Sequence, residues 1–457
     1  MFPIISREKS FYRNVMILSW PGIVQNLLNN SLALLDSFMM GAMGERYLSG
    51  VSLANTVFFV SMLVLFGFQS GSSVLIAQYH GKGDQMTINR IIGISVGFSF
   101  SISMIIALLL LIFPKQIYNL TTNDIELAVI AAEYGRIAAF SIVFNAVTVI
   151  YLSAQRSMEN PRLYMNVMGV SLVLKTLLNW VLIFGMLGAP ALGIKGAALA
   201  TLISRIFEFA ITAVYAKLNK RFKLQFRALV NPGKAIFMDF LKYSLPVVIS
   251  ETMWGFGASL YTVIFGHLPN AVTALTSYAI VMNIERIVGA FHIGLGNATA
   301  IIVGKELGAG HKEGAFCAGT TLMALTTGVG MFWALILGAL SYPFVIPYIF
   351  PLFGATEATF KTGAPFLIIL IASLPLRALN MSVLVGILRG GGDVRYGMFI
   401  DLLSMYIVAL PLSALAGLVF KASAQFVFLL MNTEELIKAI LVIRRYGKKR
   451  WLHNITR

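Results

Sequence analysis

The chain has 457 residues, of which 58% are hydrophobic and only 12% charged, with a mean hydropathy of +0.81 and a formal net charge of +16. Soluble globular proteins carry about 25% charged residues, so this composition excludes a water-soluble enzyme or binding domain and names the bilayer as the solvent. The single cysteine, Cys317, excludes an internal disulfide.

Apolar runs of roughly 20 residues or more can each cross about 30 Å of hydrocarbon as a helix. In chain order they predict twelve spans, near residues 14–41, 49–78, 90–113, 127–153, 162–186, 194–217, 237–266, 274–304, 315–341, 358–388, 395–420 and 423–442. Their continuous apolarity, without period-two alternation, excludes an outer-membrane barrel. The first run is long, contains Pro21 and Asp36 and shows no small-residue cleavage pattern, so it reads as a span rather than a signal peptide. The expected fold class is an all-α polytopic membrane protein.

Between spans six and seven the stretch 218–236 is polar and basic and carries the turn signal Asn231-Pro232-Gly233. It divides the chain into a lobe over 1–217, a linker over 218–236, and a second lobe with a basic tail over 237–457. The halves resemble each other. Pro21 and Gly41 recur as Pro246 and Gly266, 225 positions on; Gly81 and Gly83 recur as Gly308 and Gly310; Arg156, Arg162 and Met165 recur as Arg389, Arg395 and Met398. A duplicated hydrophobic unit is how secondary transporters build two lobes around a site. Six spans per half is an even number, so both halves enter the membrane from one side, and the expected relation is a pseudo-twofold axis along the membrane normal.

The basic excess is a topology signal. Lys and Arg concentrate at Arg7, Lys9 and Arg13, in alternate loops, in the linker and in the tail from Arg444 to Arg457, which predicts cytoplasmic termini and a cytoplasmic linker. The tail is expected to be a solvated orientation signal, with contact to anionic headgroups as the alternative. Nucleic-acid binding is not expected.

Enzyme signatures are missing. Gly81-Lys82-Gly83-Asp84 lacks the spacing and hydroxyl of a phosphate loop, and the five histidines show no metal-ligand spacing. Gly67-x-x-x-Gly71 and Gly294-Leu-Gly296 read as helix-packing positions. With no resident cofactor and no ATPase motor, uphill transport must draw on an ion gradient.

Charge inside a membrane is costly, so the ionisable residues within spans are the candidate site. These are Asp36, Lys175, Arg205 and Glu208 in the first half, and Glu251, Glu285, Arg286, Arg377 and Asp401 in the second. Arg205 and Glu208, three apart on one helix, are expected to form a structural ion pair. Asp36 and Glu251 each read as a lone carboxylate on a proline-kinked opening helix, suited to exchange a proton or bind Na⁺. Lys175 lies ~20 Å into span five and needs a carboxylate, for which Asp36 is the candidate, with Asn179 one turn along on the same face. Asp401 is a secondary candidate. An adaptable apolar cavity would use methionine and aromatic residues, here Met39, Met40, Phe58, Phe59, Trp254, Tyr261 and Tyr278.

The two opening helices with their prolines, together with Gly81-Lys82-Gly83-Asp84, Gly308-Ala309-Gly310-His311, Asn179-x-x-Leu182-Ile183-Phe184-Gly185 and Leu388-Arg389-Gly390-Gly391-Gly392-Asp393, resemble the multidrug and toxic compound extrusion (MATE) transporters of a prokaryotic branch. The resemblance spans about residues 14–445. It implies two six-helix lobes in a V shape that alternate access to a cavity, and export of organic cations or amphipathic compounds in exchange for Na⁺ or H⁺. It also implies coupling through Asp36 in one lobe and Glu251 in the other. Lys175 and Asn179 depart from the family pattern, which often has a neutral residue and an aspartate there. Span ten offers only Arg377 and Asn380 where some relatives place an acid. A lysine beside Asp36 repels Na⁺, so the expectation is a protonation-sensitive Asp36–Lys175 pair, with Glu251 as the Na⁺ candidate. The expected setting is the bacterial cytoplasmic membrane, with the chain acting as a monomer on small organic substrates. The competing readings are a lipid-linked precursor flippase of the same superfamily, a polytopic membrane enzyme and a channel.

Overall fold

The computed structural model describes residue 5 and residues 8–122, 124–352 and 356–457; Arg7, counted above with the basic amino terminus, lies outside them. The described residues are helical, with no strand among them. The first half holds α1 (Lys9–Gly41), α2 (Glu45–Lys82), α3 (Gln85–Ile112), the short α4 (Pro114–Asn119), α5 (Ile125–Ser157), α6 (Pro161–Phe184), α7 (Ile194–Leu218) and, in the linker, α8 (Phe226–Val230). The second half holds α9 (Lys234–Gly266), α10 (Ala271–Gly308), α11 (Lys312–Leu340), α12 (Phe350–Leu352), α13 (Glu357–Asn380), α14 (Val394–Leu402), α15 (Leu410–Ala414), α16 (Ala424–Met431) and α17 (Thr433–Gly447).

Ten helical stretches among the described residues are long and apolar enough to cross a membrane. The two remaining predicted spans are α1, whose 33 residues reach ~50 Å, and the α16–α17 pair, which breaks at Asn432 into pieces too short to cross alone. In the second half, π-helical turns at Ser341–Ile349, Met381–Leu388, Leu403–Ala409 and Leu415–Val419 extend the helices. Pro347 and Pro411 lie in or just after two of them; a proline lacks the N–H that would hold the regular ladder.

The chain packs as two compact units, one of Val24–Val248 and the other of Met1–Ile23 with Ile249–Arg457. Hydropathy places the division in the linker, whereas packing places it inside α1 and α9, two residues after Pro21 and Pro246. A proline inside a helix removes a hydrogen bond and redirects the axis, so the two parts of each opening helix acquire different neighbours. Val15 thus packs with Leu295 and Leu322, and Leu18 with Ala298 and Ile301. The core of the Val24–Val248 unit is rich in alanine from α5, with Ala131, Ala138, Ala139 and Ala146 buried. The other unit centres on aromatic rings: Phe366 stacks on Phe428 at 4.4 Å, with Phe265 tilted against both.

The duplication is visible as a repeated helix contact. A Cβ on Gly67 would stand 2.6 Å from Val248 Cα, and one on Gly71 2.6 Å from Ser244 Cα. In the other unit, a Cβ on Gly294 would press on Ile23 and on the carbonyl of Ser19. Ser19 and Ile23 precede Ser244 and Val248 by 225 positions, so one close crossing is built twice from small residues. The tail differs from the solvated end expected above. Trp451 is buried and stacks on Tyr446, Lys449 lies over the Phe316 ring, and Arg445 pairs with Asp393 at 2.6 Å. These apolar rings anchor the cations against the protein.

Gly71→Ala is expected to destabilise the protein by about 1–3 kcal/mol, the usual penalty for overpacking, because Ser244 backbone must shift. Gly169→Ala, where a Cβ meets open space, is the control. Thermal unfolding of the two purified variants should separate them; equal melting temperatures would remove the packing role.

Candidate functional site

In the Val24–Val248 unit, α1 presents Asp36 and α6 presents Lys175 and Asn179 four residues apart, hence on one face. Lys175 Nζ donates to Asp36 Oδ2 at 2.5 Å and Asn179 Nδ2 donates to Asp36 Oδ1 at 2.7 Å. Both carboxylate oxygens are therefore engaged by donors. The trio lines a cavity of about 410 Å³ whose walls also include Met40, Phe58, Phe59, Tyr134 and Arg205. Arg205 forms a two-pronged bond with buried Glu208 at 2.7 and 2.9 Å. The pair balances its own charge, as the spacing predicts, while its cation also reaches the cavity wall. The side-chain oxygens of Asn145 and Asn179, both lining residues, are buried without a hydrogen-bond partner.

The Ile249–Arg457 part is charged more heavily. Glu251 does not stand alone: Arg389, which follows the π-helical turn Met381–Leu388, bonds its Oε1 at 2.5 Å, and the pair is only 14% and 7% exposed. Asp401 is paired as well. It accepts from Ser250 Oγ at 2.5 Å and pairs with Lys438 at 3.0 Å, and Lys438 also pairs with Glu434 at 2.7 Å. Tyr261 donates to Glu434 at 3.3 Å. Beside this chain of bonds, Arg377 stands between Glu285 at 3.8 Å and Glu435 at 3.5 Å and donates to Asn432, while Asn380 donates to Glu435 at 2.8 Å. The acid missing from span ten is thus supplied by α10 and α17. Desolvated carboxylates need such partners, because removing one side leaves an uncompensated charge.

These contacts correct one sequence expectation, the lone carboxylate at Glu251. Glu251 is ion-paired, so a Na⁺ ion near it would compete with a guanidinium, the same objection that applies at Asp36. Among the described residues no group of three His, Cys, Asp or Glu is arranged to hold a metal. Tyr261 is buried and bonds Glu434, while Tyr278 is partly buried against the core and stacks on Phe265 at 4.9 Å. Of the remaining cavity candidates, Met40, Phe58 and Phe59 line the 410 Å³ space, Met39 packs against the core around it, and Trp254 is 49% exposed. Sequence reasoning missed Arg389, Glu434, Glu435 and Lys438. Three of them were signalled by Thr433-Glu434-Glu435-Leu436-Ile437-Lys438, charges inside a predicted span.

The MatE family model matches residues 21–181 and 246–415. A probable multidrug resistance protein of Bacillus subtilis, YoeA, is 24% identical over 90% of this chain and 89% of its own length. A probable multidrug resistance protein NorM of Thermotoga maritima is 25% identical over 88% of this chain and 84% of its own. The crystal structure of a eukaryotic MATE transporter, AtDTX14, superposes with a TM-score of 0.84 over 97% of both chains at 19% identity, which shows a shared fold.

Arg389→Met, which strands Glu251, is expected to lower stability by about 3–5 kcal/mol, and adding Glu251→Gln should recover most of the loss. Melting temperatures of the two single variants and the double variant check this; additive losses would show that the pair is not coupled.

Proposed function

The chain belongs to the MatE family, whose members are transporters rather than enzymes, and we propose that it is a secondary active antiporter that exports organic cations and amphipathic compounds in exchange for protons. The observation that carries the reading is the double engagement of Asp36 by Lys175 and Asn179 inside the 410 Å³ cavity. With Asp36 ionised, Asp36, Glu208, Lys175 and Arg205 leave the cavity neutral overall. A cationic substrate then rests on aromatic and thioether surface from Phe58, Phe59 and Met62. Protonating Asp36 frees Lys175 and adds one positive charge, which repels that cation. Alternating exposure of such a site gives exchange of a proton for a cation.

The same geometry supports protons over Na⁺ in this reading, because a lysine ammonium already pairs with Asp36 and a guanidinium with Glu251. The network of Asp401, Lys438 and Glu434 is a second place where a proton can be held. No resident cofactor is required. The proposed setting is the bacterial plasma membrane, with both termini and the linker cytoplasmic and the monomer as the working unit. The family match and the multidrug names of the relatives do not favour lipid-linked precursor flipping.

Ethidium efflux from proteoliposomes tests the reading, with pH and Na⁺ gradients imposed separately. Efflux is expected under an inward proton gradient alone, abolished in Asp36→Asn and displaced in pH dependence in Lys175→Met. Efflux driven by Na⁺ at clamped pH would overturn proton coupling, and an unchanged pH profile in Lys175→Met would remove the pair from the mechanism.

A further inference from the structure

A second and larger cavity lies in the Val24–Val248 unit, away from the charged cluster. It measures about 1380 Å³ and runs between α3, α5, the end of α7 and the linker. Small-molecule sites are typically ~300–1,000 Å³, so the space suits something longer than a drug. Its walls are mainly apolar, with Phe98, Phe209, Phe226 and Phe237 among the lining rings. At one end, however, it is lined by Lys217, Lys220 and Lys223, all exposed. An apolar interior ending in three ammonium groups is the complement of an amphipathic anion.

The linker is held in place to form this wall. Asn89 Nδ2 donates to the Lys223 carbonyl at 3.2 Å, and Asn89 Oδ1 accepts from Gln225 N at 3.1 Å. The backbone of α8 at Leu229 lies so close to α3 that any Cβ on Gly93 would collide with it. The lysines are thus carried on a backbone pinned to a membrane helix, rather than on a free loop. Thr212 on α7 also lines the cavity and is only 4% exposed.

We propose that this cavity binds an anionic phospholipid, with its phosphate on Lys217, Lys220 and Lys223 and an acyl chain along the phenylalanine-lined interior. The linker then has a role beyond setting topology: it forms the headgroup seat of a specific lipid site. The site is separate from Asp36, Lys175 and Asn179, and does not depend on which ion drives transport.

Native mass spectrometry of the purified full-length protein, titrated with phosphatidylglycerol or phosphatidylcholine of identical chains, tests the assignment. Each basic residue near an anionic headgroup favours it, so with three lysines wild type should prefer phosphatidylglycerol by roughly 100-fold. The triple variant Lys217→Gln, Lys220→Gln, Lys223→Gln should lose that preference. Gly97 lines the cavity and a Cβ there meets open space, so Gly97→Trp should fill the interior without disturbing the fold and reduce retention of both lipids. An unchanged preference in the triple variant, or unchanged retention in Gly97→Trp, would overturn the proposal. So would competition by soluble glycerol phosphate as strong as that by the lipid, which would mark a bare anion site. Displacement of phosphatidylglycerol by ethidium, blocked by Gly97→Trp, would reassign the cavity to organic cations.

Discussion

An ionised side chain in a membrane interior has little water to stabilise it, and the arrangement of this protein's charges follows from that cost. Asp36 has Lys175, Glu208 has Arg205, Glu251 has Arg389, and Asp401 and Glu434 share Lys438. None of these pairs is an ornament on a finished scaffold. Each ties together helices, or turns of one helix, that lipid-like packing alone would hold in no particular register. A membrane protein gains little from apolar burial between helices, because the lipid is equally apolar. Polar pairing and close small-residue contacts therefore set the positions.

The two halves share packing but not electrostatics. The crossing of Gly67 on Val248 is repeated by Gly294 on Ile23, yet the charges sit at different places along the repeated helices. Position 261, 225 residues after Asp36, is a tyrosine, and position 26, the same distance before Glu251, is an asparagine. Arg156 and Arg389 are likewise repeat partners, but Arg389 bonds Glu251 whereas Arg156 lies 5.5 Å from the Tyr164 ring centroid and near Ser153. Duplication supplied two similar frames, and each then acquired its own titratable group. The result is a small cavity with a single ion pair, Asp36–Lys175, in one unit and a multi-residue charged network in the other.

Mechanical and chemical features meet in the opening helices. Pro21 and Pro246 mark where each helix leaves one packing unit for the other, and Asp36 and Glu251 follow on the same helices. A change in the pairing of either carboxylate would act on a helix already interrupted by a proline. That is the kind of element whose position a small charge difference can bias.

Much of this was legible in the sequence. Run length and apolarity determined the helical membrane class, because a backbone in hydrocarbon has to satisfy its own hydrogen bonds. The trio of Asp36, Lys175 and Asn179 was legible too: a mid-span lysine requires an acid, and a spacing of four places two residues on one helix face. The partner of Glu251 was not. Arg389 lies just beyond an apolar run and reads as a loop cation, and only the fold shows its guanidinium turned onto α9. The division into units was equally hidden, since hydropathy marks where chain leaves the membrane, not which helix packs on which. The sequence by itself determined what each segment needs: a bilayer, a bend, a counter-charge. Tertiary structure alone decided which residue meets each need, because pairing in space depends on helix crossings that no local pattern encodes.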